Sequence, residues 1–439
     1  MLLERTDQLS ALTHALDEVT AARAGAVVFV GGEAGAGKTV LLRAFCDGQR
    51  GAVRILWGAC EGLLTPGPLG PLFDVAEVTG GELEELVSRE ARPHEVAGAL
   101  VRELARGRPT VLVLEDLHWA DEATLDVLRL LARKVQGVPA LVLASYRDDE
   151  LDRVHPLTLV LGELATARAV TRLAIPPLSE QAVGELAAPH GIDPGELHRQ
   201  TNGNPFYVTE VLAAGTGEIP HTVRDAVLAR LARLSAAARR LLEAIAIATP
   251  PAEVWLLEAL APAELHHLEE CLASGMVAAQ PDGVAFRHEL ARLAVAEALP
   301  PHRRVALHRA ATAALAARSG RARDPARIAH HADVSGDGAA VLRFAPAAAE
   351  RAASLGAHRE AAAQYARALR FAEDLAPTEQ AALLEGRAYE CFLTGELEAA
   401  IAAQERALAL RRALGDPLLE GDCLRSLSRL YRFLGRTEE

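Results

Sequence analysis

The chain has 439 residues, half of them apolar, enough for roughly three cores in series. Its 46 basic residues face 59 acidic ones, a formal net charge of −13, which leaves no global positive field for a phosphate backbone or an anionic lipid surface. Cys46, Cys60, Cys271, Cys391 and Cys423 lie far apart without paired spacing, and no apolar run approaches the ~18 residues of a bilayer span, so a soluble cytoplasmic chain with free thiols and no membrane contact is expected.

From the N-terminus, short apolar runs alternate with amphipathic helical stretches, the pattern of an α/β unit with a parallel sheet. Five strands are predicted at Ala26 to Val30, Val53 to Trp57, Thr110 to Leu114, Ala140 to Ser145 and Val170 to Ile175. After the first comes GEAGAGKT, Gly32, Glu33, Ala34, Gly35, Ala36, Gly37, Lys38 and Thr39, followed by the helical run from Val40. This is G-x-x-x-x-G-K-[ST] between a strand and a helix, a P-loop. Its backbone N–H groups curl around a β-phosphate, Lys38 neutralises β/γ oxygens and Thr39 ligates Mg²⁺, so ATP or ADP with Mg²⁺ is the expected ligand. Only Lys38 and Lys134 are lysines among the 46 basic residues, which makes a lysine in the glycine loop a choice of compact ammonium over planar fork.

The third strand ends in two carboxylates, VLVLED with Glu115 and Asp116, a Walker B pattern. One carboxylate should hold Mg²⁺ and the other polarise the attacking water, with Glu115 on the metal and Asp116 as base, although the reverse order stays open. In LHWAD, Asp121 reads as the N-cap of a helix from Glu122, Trp119 as a packing residue, and His118 as structural or nucleotide-facing. Arg147, at the end of the fourth strand, is a γ-phosphate sensor or a surface partner of Asp148, Asp149 or Glu150.

Pro176 and Pro177 mark a break, and from Ser179 the chain is helical except for Val277 to Arg287, a hairpin turning at Pro281-Asp282-Gly283. Helices followed by a hairpin suggest a winged helix, but the helix before the wing, AELHHLEECLAS, is acidic and would repel a duplex. No direct DNA binding by this chain is expected. After Pro301 the sequence is alanine-rich, and the stretch from Gly356 matches that from Gly395 at an offset of 39 residues. Ala361 and Ala400, with Leu369 and Leu408, let helices stack as tetratricopeptide-like repeats. A third start at Phe433, cut off after Gly435, reads as an incomplete array. The units are then a P-loop domain at 1–177, a helical lid at 178–218, a winged helix at 219–300 and repeats at 301–439.

LLER at Leu2 to Arg5, TNGNPFYVTEVL at Thr201 to Leu212, IPHTVRDAVLARLARLS from Ile219 and FRHELARLAVAEALPPHRR from Phe286 stand beside GEAGAGKT, VLVLEDLHWADEATLDVLRLLAR and SYRDDE. In this combination the whole chain resembles the STAND class of P-loop ATPases, in particular the ATPase half of large LuxR-type transcriptional regulators. The resemblance implies that Arg5 lies near adenine and ribose, that Pro205 packs on the adenine from the lid, and that His288 contacts the β-phosphate of ADP. Residue by residue, the alternatives are a surface charge at Arg5, a helix starter at Pro205 and a core histidine at His288. It further implies a slow ATPase used as a switch, an inducer or protein partner on the repeats, and possible self-association in the ATP state. The DNA-reading helix-turn-helix of that class is not among these residues. Other readings are an AAA+-like motor or initiator acting on DNA, and a repeat scaffold with a non-hydrolysing nucleotide site.

Overall fold

The computed structural model describes residues 2–60, 62, 67–214, 222–248, 250–281, 283–318 and 324–435. All five expected strands form, with slightly shifted ends: β1 (Ala26–Gly31), β2 (Arg54–Ala59), β3 (Thr110–Glu115), β4 (Ala140–Tyr146) and β5 (Val170–Ala174). They pair in parallel in the order β2-β3-β4-β1-β5. Side chains alternate across each strand. Val27, Phe29, Leu112, Leu114 and Val142 therefore enter the core on one face, while Val28, Val30, Val111, Val113, Leu141 and Leu143 enter the other. Helices cover both faces, which is why β3 and β4 read as continuous apolar runs and bury every residue. The order sets β4 between β1 and β3, so the glycine loop after β1 and the carboxylates ending β3 share the carboxyl edge of the sheet, where α/β folds bind ligands.

Asp121 caps the helix Glu122–Lys134 as expected, accepting from the Thr124 N–H at 2.9 Å. It also accepts from the Leu69 N–H at 3.1 Å and so pins a distant loop. Beyond the sheet, Glu180–Ala187, Pro194–Thr201 and Pro205–Ala214 form the helical lid, whose first helix is capped by Ser179. The expected end of the lid at 215–218, and Ile219 to His221 of the segment after it, lie outside the described residues.

The winged-helix unit comprises Val223–Ala232, Ala236–Ile247, Val254–Leu260, Leu268–Ala273 and Glu289–Ala298 around a small antiparallel sheet. The hairpin is present as β7 (Val277–Gln280) and β8 (Gly283–Phe286), with Asp282 of the turn outside the described residues. A third strand, β6 (Ala252–Glu253), joins β8 through Ala252 and Val284. Two residues are too few to show a period-two pattern in sequence. The approach depends on Gly283, where a Cβ would lie 2.2 Å from the Ala252 carbonyl oxygen.

Antiparallel helices complete the chain: Pro301–Ala316, Pro325–Ser335, Gly338–Ser354, His358–Leu369, Pro377–Leu393, Leu397–Leu414 and Pro417–Phe433. Ala361 and Ala400 are both 0% exposed, so the matched small residues are the points of close approach. The pair Pro325–Ser335 and Gly338–Ser354 packs through small residues too, without a matching sequence: Ala329 and Ala332 share a core with Val341 and Ala345. The expected third start at Phe433 falls at the end of the helix Pro417–Phe433, where Gly435 takes φ 74° as Gly356 and Gly395 take 80° and 81°; residues 436–439 after it lie outside the described residues. The five cysteines are buried, and none of them forms a disulfide. Among the described residues, no helix is long and apolar enough to cross a membrane.

Candidate nucleotide site

Gly35 and Gly37 take φ of 81° and 94°, the left-handed region that the curled loop requires. The helix Lys38–Gly48 starts directly after the loop and has no side-chain cap, so its first N–H groups remain for a ligand. Lys38 is 6% exposed, and its Nζ donates to the carbonyls of Gly32 at 2.5 Å and Glu33 at 2.9 Å. Burial lowers its pKa, while the charge of Asp116 works to raise it.

Glu115 and Asp116 face different surroundings although adjacent. Glu115 ends β3 fully inside, and Trp57 Nε1, on the neighbouring strand, donates to its Oε2 at 2.9 Å. Its Oε1 is buried and accepts no hydrogen bond of ordinary geometry, although the Thr39 hydroxyl lies close enough to help hold the charge. Burial raises the pKa of Glu115, with Thr39 opposing it and the Asp116 charge reinforcing it. Asp116 turns out of the strand at φ 56°, which aspartate tolerates, and its N–H donates to Ser145 Oγ at 3.1 Å. Burial raises its pKa too, and the cations Arg147 and Lys38 counter that.

A hard cation bound by oxygen fits this donor set: the Thr39 hydroxyl, an unpartnered Glu115 oxygen and the Asp116 carboxylate. Two cations, Lys38 and Arg147, and a helix N-terminus converge beside them, as a bound polyphosphate requires.

Arg147 is 6% exposed, pairs with Glu150 and lies 4.7 Å from the Trp119 ring centroid. The expected pair with an acidic neighbour thus exists: it joins a buried guanidinium, whose charge is felt at Asp116, to a Glu150 carboxylate that is 39% exposed. Trp119 packs against the core and also carries the guanidinium. His118 is buried between two carboxylates, 3.9 Å from Asp116 Oδ1 and 3.7 Å from Glu150 Oε2. Burial, followed by the charge of Arg147, pushes it down to about 2, so the ring is neutral.

Arg5 is 2% exposed and is therefore not a surface charge. It donates to the Pro176 carbonyl at 2.8 Å and the Ala36 carbonyl at 3.4 Å, fastening the P-loop to the chain that leaves the sheet. Pro205 starts the helix Pro205–Ala214, and the residues around it reach the loop. Asn204 Nδ2 donates to the Ala34 carbonyl at 2.8 Å and the Phe206 N–H to the Gly35 carbonyl at 3.3 Å. A Cβ on Gly35 would meet both Asn204 and Phe206 at 2.8 Å. His288 caps no N–H of its own helix; its ring packs on Phe206 with centroids 4.4 Å apart. Burial lowers its pKa to about 4. The next residue, Glu289, is felt by Asp116 as a like charge.

Asn204, Phe206 and Trp57 are thus parts of the site that residue-by-residue reading passes over. Asn204 carries a readable local signal, asparagine before a helix-starting proline. Trp57 carries none, because its partner lies on another strand.

Residues 1–143 match the family model of the AAA ATPase domain. The chain is 26% identical over 414 residues to an uncharacterized protein of Rhizobium meliloti (strain 1021), covering 76% of this chain and 39% of that protein. It therefore spans about two fifths of the length of that curated relative. Among solved structures it is similar to a STAND protein with a tetratricopeptide repeat sensor from Pyrococcus horikoshii, at 14% identity and a TM-score of 0.46, over 99% of this chain and 74% of that one. It is also similar to the ORC1 protein of Aeropyrum pernix in complex with DNA, at 14% identity and a TM-score of 0.32, over 68% of this chain and 93% of that one.

Proposed function

With an AAA ATPase domain at residues 1–143 as the premise, we propose that this chain is a nucleotide-operated switch of the STAND class, closed with ADP and opened by ATP. The observation that carries the proposal is the meeting of three units at one loop. Asn204 and Phe206 of the lid touch the P-loop backbone, His288 of the winged helix rests on Phe206, and the charge of Glu289 reaches Asp116. A nucleotide in the loop therefore contacts, directly or through one ring, the elements that would have to move. ATP shifts such a balance only by its differential affinity for the two states, and this junction is where the difference arises.

Mg²⁺, when bound, neutralises phosphate charge, with Thr39 and Glu115 holding it and Asp116 close by. Lys38 binds the phosphates, Asp116 accepts a proton from the attacking water, and Arg147, once released from Glu150, faces the developing γ-phosphate charge. Water adds to the γ-phosphorus, the bond to the bridging oxygen breaks, and ADP and inorganic phosphate leave. Arg5 and Pro205 border the loop on the side assigned to adenine and ribose, and His288 is assigned to the β-phosphate.

The resemblance to LuxR-type regulators extends the reading to transcription control in the cytoplasm. The repeats would receive an inducer or protein partner, and an outside helix-turn-helix would read DNA. The helix in the recognition position, Leu268–Ala273, carries Glu269 and Glu270 in its first turn and does not suit a duplex.

Calorimetry with ADP and ATP, beside small-angle scattering of each complex, tests the switch. ADP should bind more tightly than ATP and give the more compact particle, and Lys38→Ala should abolish both. Equal affinities with one particle size, or unchanged binding by Lys38→Ala, would refute the proposal.

A further inference from the structure

The repeats do not stand clear of the nucleotide domain. The helix Glu122–Lys134, which follows the acidic strand end through Leu117–Trp119 and Asp121, meets the repeat helix His358–Leu369 start to start. The Glu122 N–H donates to Glu360 Oε1 at 3.3 Å. In return the Arg359 N–H donates to Glu122 Oε2 at 3.1 Å, and Arg359 Nε lies 3.2 Å from Glu122 Oε1. Each helix thus lends a first-turn carboxylate to a first-turn N–H of the other, which its own helix leaves unsatisfied.

Neighbouring contacts show that this is a built interface. Arg351 of the repeats lies 2.5 Å from Glu90 of the nucleotide domain and 3.1 Å from Asp324. Leu355 is 1% exposed and belongs to the core that fills one face of the large sheet. Glu360 is the weak point within it. Its Oε2 is buried without a hydrogen-bond partner. From the nucleotide domain it faces Asp121 and Glu122; on its own helix the adjacent Arg359 turns its guanidinium to Glu122.

We propose that this reciprocal contact of helix ends is a proton-operated clasp, which holds the repeats on the nucleotide domain while Glu360 is protonated and loosens when Glu360 ionises. The clasp rests on the switch reading above and names a regulated contact within it, at the residue next to the Asp121 cap that follows the acidic strand.

The sign follows from the proton count. Burial, then the charges of Asp121 and Glu122, push the Glu360 carboxyl up to about 8 in the docked form. A released Glu360 returns to the ordinary range, about 4.3. Between these values the released form holds fewer protons, so rising pH favours release by up to about tenfold per pH unit; above about 8 both forms are ionised and the trend stops.

Hydrogen exchange of the full chain tests the clasp through the amides of Glu122 and Arg359, the two donors, with protection corrected for the intrinsic rate and referred to Val142 in the central strand. In the wild type their protection should fall from pH 6 to pH 8 and level off above. Glu360→Gln, which keeps the acceptor and cannot ionise, should hold both amides at high protection throughout. Glu122→Gln removes one of the charges that raise the Glu360 carboxyl in the docked form, so the fall should be smaller and level off at lower pH, while the Arg359 amide keeps an acceptor. Protection flat with pH in the wild type, or the same fall in Glu360→Gln, would overturn the proposal. Lys38→Ala separates the two readings. If it loses nucleotide and keeps the pH-dependent protection, both stand; if it binds nucleotide normally, the switch fails independently of the clasp.

Discussion

Asn204 performs two tasks with two atoms, and one substitution separates them. Its Oδ1 accepts from the N–H groups of Phe206 at 3.1 Å and Tyr207 at 3.3 Å, capping the helix Pro205–Ala214, while its Nδ2 donates to the Ala34 carbonyl of the P-loop at 2.8 Å. Asn204→Asp keeps an oxygen for the cap and removes the only donor that ties the side chain to the loop. A lost hydrogen bond that leaves two oxygens facing each other costs about 1–2 kcal/mol, and that cost falls on the closed arrangement. ADP affinity should therefore drop roughly 5- to 30-fold, ATP affinity should change less, and the melting temperature should stay near the wild-type value. Asn204→Ala loses the cap as well, about 1 kcal/mol more, and should also melt lower. Titration calorimetry with each nucleotide, beside thermal unfolding, reads all of these. Unchanged ADP affinity in Asn204→Asp would show that the lid tether has no part in holding nucleotide, and the coupling argument would fall with it.

Asp116→Asn should retain nucleotide and lose phosphate release in a turnover assay, since an amide does not accept the water's proton; if Glu115→Gln is inactive and Asp116→Asn is not, the two roles are exchanged. Trp57→Phe removes the indole N–H that lowers the Glu115 pKa. Glu115 then stays protonated to higher pH, so the acid limb of the turnover profile should move to more alkaline pH, and an unmoved limb would detach Glu115 from turnover. His288→Ala removes a neutral ring packed on Phe206. It should weaken ADP by about tenfold or more and ATP less, as one hydrogen bond to a charged phosphate implies; equal loss for both nucleotides, with a lower melting temperature, would make it a packing residue.

The sequence alone determined whatever depends on neighbours in the chain. The P-loop, the paired carboxylates and the Asp121 cap are contiguous patterns, each recognised by a chemistry that needs those residue types at that spacing. The five strands were readable because both faces of the sheet are covered, and the repeats because Ala361 and Ala400 recur at the same helical position. Tertiary structure decided what depends on partners remote in sequence. The apolar strands are interchangeable as far as burial is concerned, so their order β2-β3-β4-β1-β5, which brings the carboxylates to the loop, follows from packing and not from any one strand. That Arg5 is buried against the P-loop and is not a surface charge was likewise decided by the Pro176 and Ala36 carbonyls that receive it. Trp57 meets Glu115 across 58 residues, Asn204 meets Ala34 across 170, and Glu360 meets Glu122 across 238. A hydrogen bond over such a separation leaves no periodic trace in the chain, because its partner is chosen by how whole helices and sheets bury their apolar faces.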